Sequence, residues 1–171
     1  MKRISLTLCL AFLTVLFCQA QVAPLKFNKN GEFKIVQFTD IHFQYHNPAS
    51  AIALKRINEV LDAERPDLIV FTGDVVYAPP ADTAMRAVVD CASARKIPFV
   101  VTFGNHDNEQ GKTRAELYDI IRSMPYNIQP DRGSVESPDY VLTVKSSDGK
   151  KDASVLYCLD SHSYSKLPDV K

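Results

Sequence analysis

The sequence predicts an α/β domain, a mostly parallel sheet with flanking helices and a later hairpin. Three observations carry that reading. Leu68–Thr72 (LIVFT) and Pro98–Phe103 (PFVVTF) are short, almost wholly apolar runs of the kind that parallel sheets bury on both faces. Segments of helical period separate the strands. Two further strand-like runs surround a turn containing a glycine near the end of the chain.

Gln21 to Lys34 is polar, carries Pro24 and Gly31, and reads as a lead-in. Phe33–Phe38 (FKIVQF) is rich in β-branched and aromatic residues and reads as the first strand. Ala49–Glu64 sets Ile52, Leu54, Ile57, Val60 and Leu61 at helical spacing, with Ser50 near its start and Pro66 beyond its end. Leu68–Thr72 is the second strand. Asp82–Lys96 is a second helix with Met85, Val88, Val89 and Ala92 on one face, and Pro98–Phe103 is the third strand. Thr113–Ser123 reads as a third helix. Tyr140–Val144 and Ser154–Leu159 flank Ser147-Asp148-Gly149 and read as a hairpin. Alternation of strand and helix implies an α/β sheet built from right-handed crossovers. Ser161 to Lys171 carries neither signal.

The first twenty residues stand apart. Met1-Lys2-Arg3 is a short positive start, Ile4 to Cys18 is uncharged and mostly apolar, and Cys18-Gln19-Ala20 has small residues where a signal peptidase needs them. The expectation is a signal peptide over 1–20, a domain over 21–171, and a secreted or periplasmic product with no membrane span in the mature chain. The run is shorter than the roughly 20 residues that a spanning helix needs. Lipidation at Cys18 is the minor alternative, opposed by bulky Phe17 beside it. The full chain has 20 basic and 20 acidic residues, and removal of Lys2 and Arg3 leaves 18 basic against the same 20 acids. That balance gives no patch for nucleic acid. Cys91 and Cys158 would remain in the mature chain; they form no C-x-x-C, and the expectation is two buried thiols rather than a disulfide.

Three polar clusters follow the three strands: Asp40-Ile41-His42, Gly73-Asp74 and Gly104-Asn105-His106-Asp107. In a parallel sheet these loops share the carboxyl edge, where α/β proteins place ligands. Carboxylate, amide and imidazole donors suit Mn, Fe or Zn. Asp40 and His42 are close enough in sequence to hold one ion, and a carboxylate such as Asp74 can bridge two. Asn105 offers a neutral oxygen to the second ion, and His106 a proton for a departing alkoxide. Gly73 and Gly104 allow close backbone approach. Each cluster alone also reads as turn chemistry; their order at three successive strand ends is what separates the two readings. His46 reads as a solvent-facing loop histidine. Gly111-Lys112-Thr113 is not a phosphate loop, because His106 stands where the motif needs glycine.

These blocks resemble the D-x-H, G-D and G-N-H-D signatures of the calcineurin-like metallophosphoesterases, within stretches KIVQFTDIHF, RPDLIVFTGD and IPFVVTFGNHD. The match is closest to the branch related to purple acid phosphatases. The resemblance implies an α/β/β/α sandwich and hydrolysis of phosphate esters by a water or hydroxide activated between two divalent ions. It implies Asp40, His42 and Asp74 on the first ion, Asp74 and Asn105 on the second, His106 as acid or phosphate contact, and Asp107 orienting His106. Gly73-Asp74-Val75-Val76-Tyr77 also fits the block in which a tyrosine binds ferric iron. With His42 present, Tyr77 is expected to be a bystander. The family's later histidine blocks, including G-H-x-H, have no counterpart here, since only His162 follows His106. The chain is therefore expected to be the N-terminal half, incomplete at its C-terminal side, with one sheet face uncovered. A remnant that binds metal or phosphate weakly without turnover is the alternative function.

Overall fold

The computed structural model describes residues 22–165 and Leu167. The leader expected over Met1–Ala20 lies outside the described residues. Among those described, no helix is long and apolar enough to cross a membrane. The elements are β1 (Ile35–Phe38), α1 (Ala51–Glu64), β2 (Leu68–Thr72), α2 (Ala81–Ser93), β3 (Phe99–Thr102), α3 (Arg114–Arg122), β4 (Tyr140–Lys145) and β5 (Asp152–Cys158). Strands β1, β2 and β3 form a parallel sheet in that order, and β4 pairs antiparallel with β5. The α/β reading holds, with the hairpin as a separate two-stranded sheet.

Alternation along each strand sorts the core into two layers. Ile69 and Phe71 of β2, with Phe99 and Val101 of β3, face the helices and share a cluster with Leu61, Met85, Val88, Leu117, Tyr118 and Ile121. Leu68 and Val100 point the other way, into a second cluster with Leu142, Val144 and Cys158 of the hairpin and with Leu25. The expectation of an uncovered sheet face is therefore corrected for β2 and β3, where Leu68 and Val100 are wholly buried beneath the hairpin. It survives at β1, an edge strand whose Ile35 is 39% exposed.

Local chemistry explains most boundaries. Thr113 caps α3 through a capping box, its hydroxyl accepting from the Glu116 N–H while Glu116 accepts from the Thr113 N–H. α1 ends where Arg65 turns left-handed. α2 ends at Ser93 rather than Lys96, because Lys96 takes φ +59 and the last carbonyls close into a turn. The lead-in is more than a linker: Phe27 and Leu25 exchange backbone hydrogen bonds with Lys145, so this stretch runs beside β4. Cys91 lies in the helix-side cluster and Cys158 in the hairpin-side cluster; both are buried free thiols.

Phe71 is fully buried, stacked on Phe38 at 5.7 Å and edge-on to Phe99 at 6.3 Å. Phe71→Ala is expected to destabilise the fold by about 3–5 kcal/mol. Val141→Ala, on the exposed face of the hairpin, is expected to stay within about 0.5 kcal/mol. Denaturant midpoints of the two variants check this.

Candidate metal centre

The parallel ladder between β1 and β2 does not stop where the strands end. Asp40 N–H donates to Gly73 O at 3.1 Å, His42 N–H to Asp74 O at 2.8 Å, and Phe43 N–H to Val75 O at 2.9 Å. Register therefore sets the Asp40-Ile41-His42 loop against Gly73-Asp74. Phe43, Val75 and Val76, all buried, pin both loops to the core. Asp40, His42 and Asp74 each adopt a left-handed backbone, with φ of +52, +50 and +49. Such conformations cost non-glycine residues about 1–3 kcal/mol each and persist only where the surroundings enforce them.

Two contacts enforce them here. Gly73 and Gly104 touch backbone to backbone: a Cβ on Gly73 would lie 2.6 Å from Gly104 N, and one on Gly104 would lie 2.1 Å from Asp74 Oδ1. No side chain fits at either position. Asp107 then ties the same two loops together. Its Oδ1 accepts from the N–H groups of Val75 and Val76, and its Oδ2 from Gly104 N–H, at 2.8, 3.0 and 2.9 Å. Burial pushes the Asp107 carboxyl upward in pKa, against the opposing pull of those three N–H groups.

The Asp74 carboxylate stands between the first and third loops. Its Oδ1 accepts from His106 N–H at 3.0 Å, and its Oδ2 lies 3.4 Å from His42 Nε2. His42, Asp74 and His106 each offer a ligand atom, all within 4.8 Å of one another. Metal–ligand bonds of about 2.0–2.2 Å hold donor atoms at most about 4.4 Å apart, so a slight closure fits this set to one borderline divalent ion. The donor chemistry matches Mn, Fe or Zn.

The other expected residues sit on the same rim with different partners. Asp40 lies outside the three-donor group and accepts from its neighbour Thr39 Oγ1 at 2.6 Å. Asn105 Nδ2 donates to the Tyr164 hydroxyl at 2.9 Å. His106, expected as an acid rather than a ligand, lies within the donor group. The orienting role expected of Asp107 is not what its contacts describe: its carboxylate is occupied by backbone N–H groups of the two loops. The partner of His106 Nδ1 is Glu109, with Oε2 at 2.6 Å, and this bond raises the imidazole above its ordinary pKa. Tyr77 borders the site, its ring centroid 5.1 Å from His42 and 4.9 Å from His106, edge-on to both. His46 is exposed in its loop, as expected.

Four residues were not singled out by the sequence. Glu109 stands three positions after His106 in a 3-10 turn, a spacing that pairs side chains. Arg114 is a cation in the first turn of α3, where the helix dipole disfavours one. It is buried, donates to both oxygens of buried Asp160 at 2.9 and 2.8 Å, and reaches Gly104 O at 2.8 Å. Its oddity was legible; its partner, past β5, was not. Tyr164 completes the group. A cleft of about 1050 Å³ beside the centre is lined by Lys112, Arg114, His162 and Tyr164 among others.

The calcineurin-like phosphoesterase model matches residues 33–167. The chain belongs to that family. It is 34% identical to a probable inactive purple acid phosphatase of Arabidopsis thaliana (number 29), an alignment covering 87% of this chain and 45% of the relative. It is 31% identical to the phosphatase DCR2 of Saccharomyces cerevisiae, over 80% of this chain and 28% of that protein. A second Arabidopsis thaliana protein, probable inactive purple acid phosphatase 14, is 31% identical over 84% of the chain and 43% of its own length. The chain spans less than half the length of these relatives. The matched span includes all three loops of the rim just described.

Truncating one member of a buried ion pair strands the other. Arg114→Met is expected to cost about 3–5 kcal/mol, and the joint change Arg114→Met with Asp160→Leu distinctly less. Thermal or urea unfolding of the single and double variants reads the difference.

Proposed function

We propose that the protein hydrolyses phosphate esters in a metal-dependent reaction, with two divalent ions, Mn, Fe or Zn, held by this rim. The single observation that carries the reading is the Asp74 carboxylate set between His42 and the His106 backbone, on a left-handed backbone that two glycines and Asp107 enforce. Family membership supports it. Asp40, His42 and Asp74 would hold the first ion, and Asp74 with Asn105 the second. When bound, the ions supply the charge that lowers the pKa of a water and neutralises phosphate oxygens. His106, aimed by Glu109, holds a proton at its ring for the departing alkoxide. The adjoining cleft, with Lys112 and His162 in its wall, is placed to take the ester's organic group. Export by the Met1–Ala20 leader, to a secreted or periplasmic location, belongs to the same proposal.

A second reading is a protein that binds metal or phosphate without turnover. Its support is that two of the relatives bear "inactive" in their names, whereas the yeast relative is named a phosphatase.

Metal-loaded protein is expected to release product from a chromogenic phosphomonoester, and Asp74→Ala to lose at least about 100-fold of that rate. Turnover that survives the substitution would rule out this site. Bound metal with no turnover favours the second reading. With His42 as ligand and Tyr77 as neighbour, the iron-loaded protein is expected to lack a visible band that Tyr77→Phe abolishes; an absorption spectrum decides.

A further inference from the structure

Tyr164, Glu109, Asn105 and His106 form a hydrogen-bonded chain whose protons have one consistent arrangement. The Tyr164 hydroxyl lies 3.1 Å from Glu109 Oε1 and 2.9 Å from Asn105 Nδ2. A phenol has one proton to donate, and a carboxylate only accepts. The Tyr164 O–H is thus committed to Glu109, and its oxygen must accept from Asn105. Only the NH₂ end of the amide can donate, which turns Oδ1 away from the phenol. The other oxygen of Glu109 holds His106 Nδ1 at 2.6 Å. One carboxylate therefore fixes two rim side chains, directly for His106 and through Tyr164 for Asn105.

We infer that Tyr164 is a positioning residue, whose phenol orients the Asn105 amide so that it presents oxygen, and not NH₂, to the second divalent cation. The inference rests on the proposed role of Asn105 as a ligand of that ion. The two ends of an amide are nearly equal in shape and opposite in polarity, so in the metal-free protein an unanchored asparagine spends part of its time with N–H groups towards the ion's position, and turning it costs affinity. Tyr164 removes that ambiguity across 59 residues of sequence. It is 65% exposed and belongs to neither apolar cluster, so loss of its hydroxyl leaves the core intact.

The test is calorimetric titration of the metal-free full chain with Mn²⁺, comparing wild type, Tyr164→Phe and Tyr157→Phe. Tyr157 is 73% exposed on the hairpin, its hydroxyl makes no hydrogen bond to a rim side chain among the described residues, and it serves as control. Tyr164→Phe is expected to weaken the lower-affinity Mn²⁺ about tenfold, at the near end of what loss of an orienting partner costs. The control is expected to bind like wild type. In an Asn105→Asp background either end of the side chain is oxygen, so Tyr164→Phe is expected to change affinity less than about twofold there. Wild-type affinity in Tyr164→Phe, or an equal loss in both backgrounds, overturns the inference and leaves the proposed hydrolase standing. A wild-type chain that binds a single Mn²⁺ and no second overturns the inference alone, and one that binds none overturns both.

Discussion

The centre depends on a carboxylate that does not face it. Asp107 is buried and accepts three backbone N–H groups, two from the loop after β2 and one from the loop after β3. The ladder that continues past β1 uses the carbonyls of Gly73, Asp74 and Val75 and leaves these N–H groups to Asp107. An unpaired buried N–H costs about as much as a lost hydrogen bond, so one carboxylate replaces the missing ladder for both loops. Charge in a buried position is tolerable because the three N–H dipoles point at it. Without that tie the two glycine turns would keep only the His106 N–H bond to Asp74 between them.

Part of the backbone strain then falls on the rim. Three non-glycine residues with φ near +50 lie on neighbouring loops, and each carries a metal-type side chain. A left-handed residue swings its side chain off the line of the strand, out of the pleat and towards the rim. The glycine contact brings the loops closer than any Cβ would allow, which is why Asp74 can face His42 and the His106 backbone at once. Arg114 adds a third tie, from the first turn of α3 to Gly104 O and to Asp160 beyond β5. The hairpin layer is thereby joined to the rim loops as well as to the sheet face it covers.

The two core layers are unequal. On the helix side, Tyr118, Phe71 and Phe99 are fully buried and three helices close the layer. On the hairpin side, cover extends over β2 and β3 but leaves the β1 edge open. β1 is also the strand that leads into Asp40 and His42. Its outer edge carries no strand partner among the described residues, so its position rests on β2 and on Val36 and Phe38 packed against the helix-side core.

The order and type of elements were legible because strand and helix periodicities, capping signals and turn residues are local. Leu68–Thr72 was read to the residue, and the hairpin to within two. The site's location was legible too, since parallel strands send successive loops to one edge. What the sequence by itself determined was that Asp40, His42, Asp74, Asn105 and His106 share a rim. Only the tertiary structure decided who faces whom. It placed Asp107 on backbone N–H groups instead of on His106, gave His106 to Glu109, and brought Tyr164 and Asp160 back from beyond the hairpin. The Glu109 and Gly104 bonds are three residues long and depend on loop dihedrals, whereas those of Asp107 to Val75, of Asp160 and of Tyr164 span some 30 to 60 residues, which no local pattern encodes.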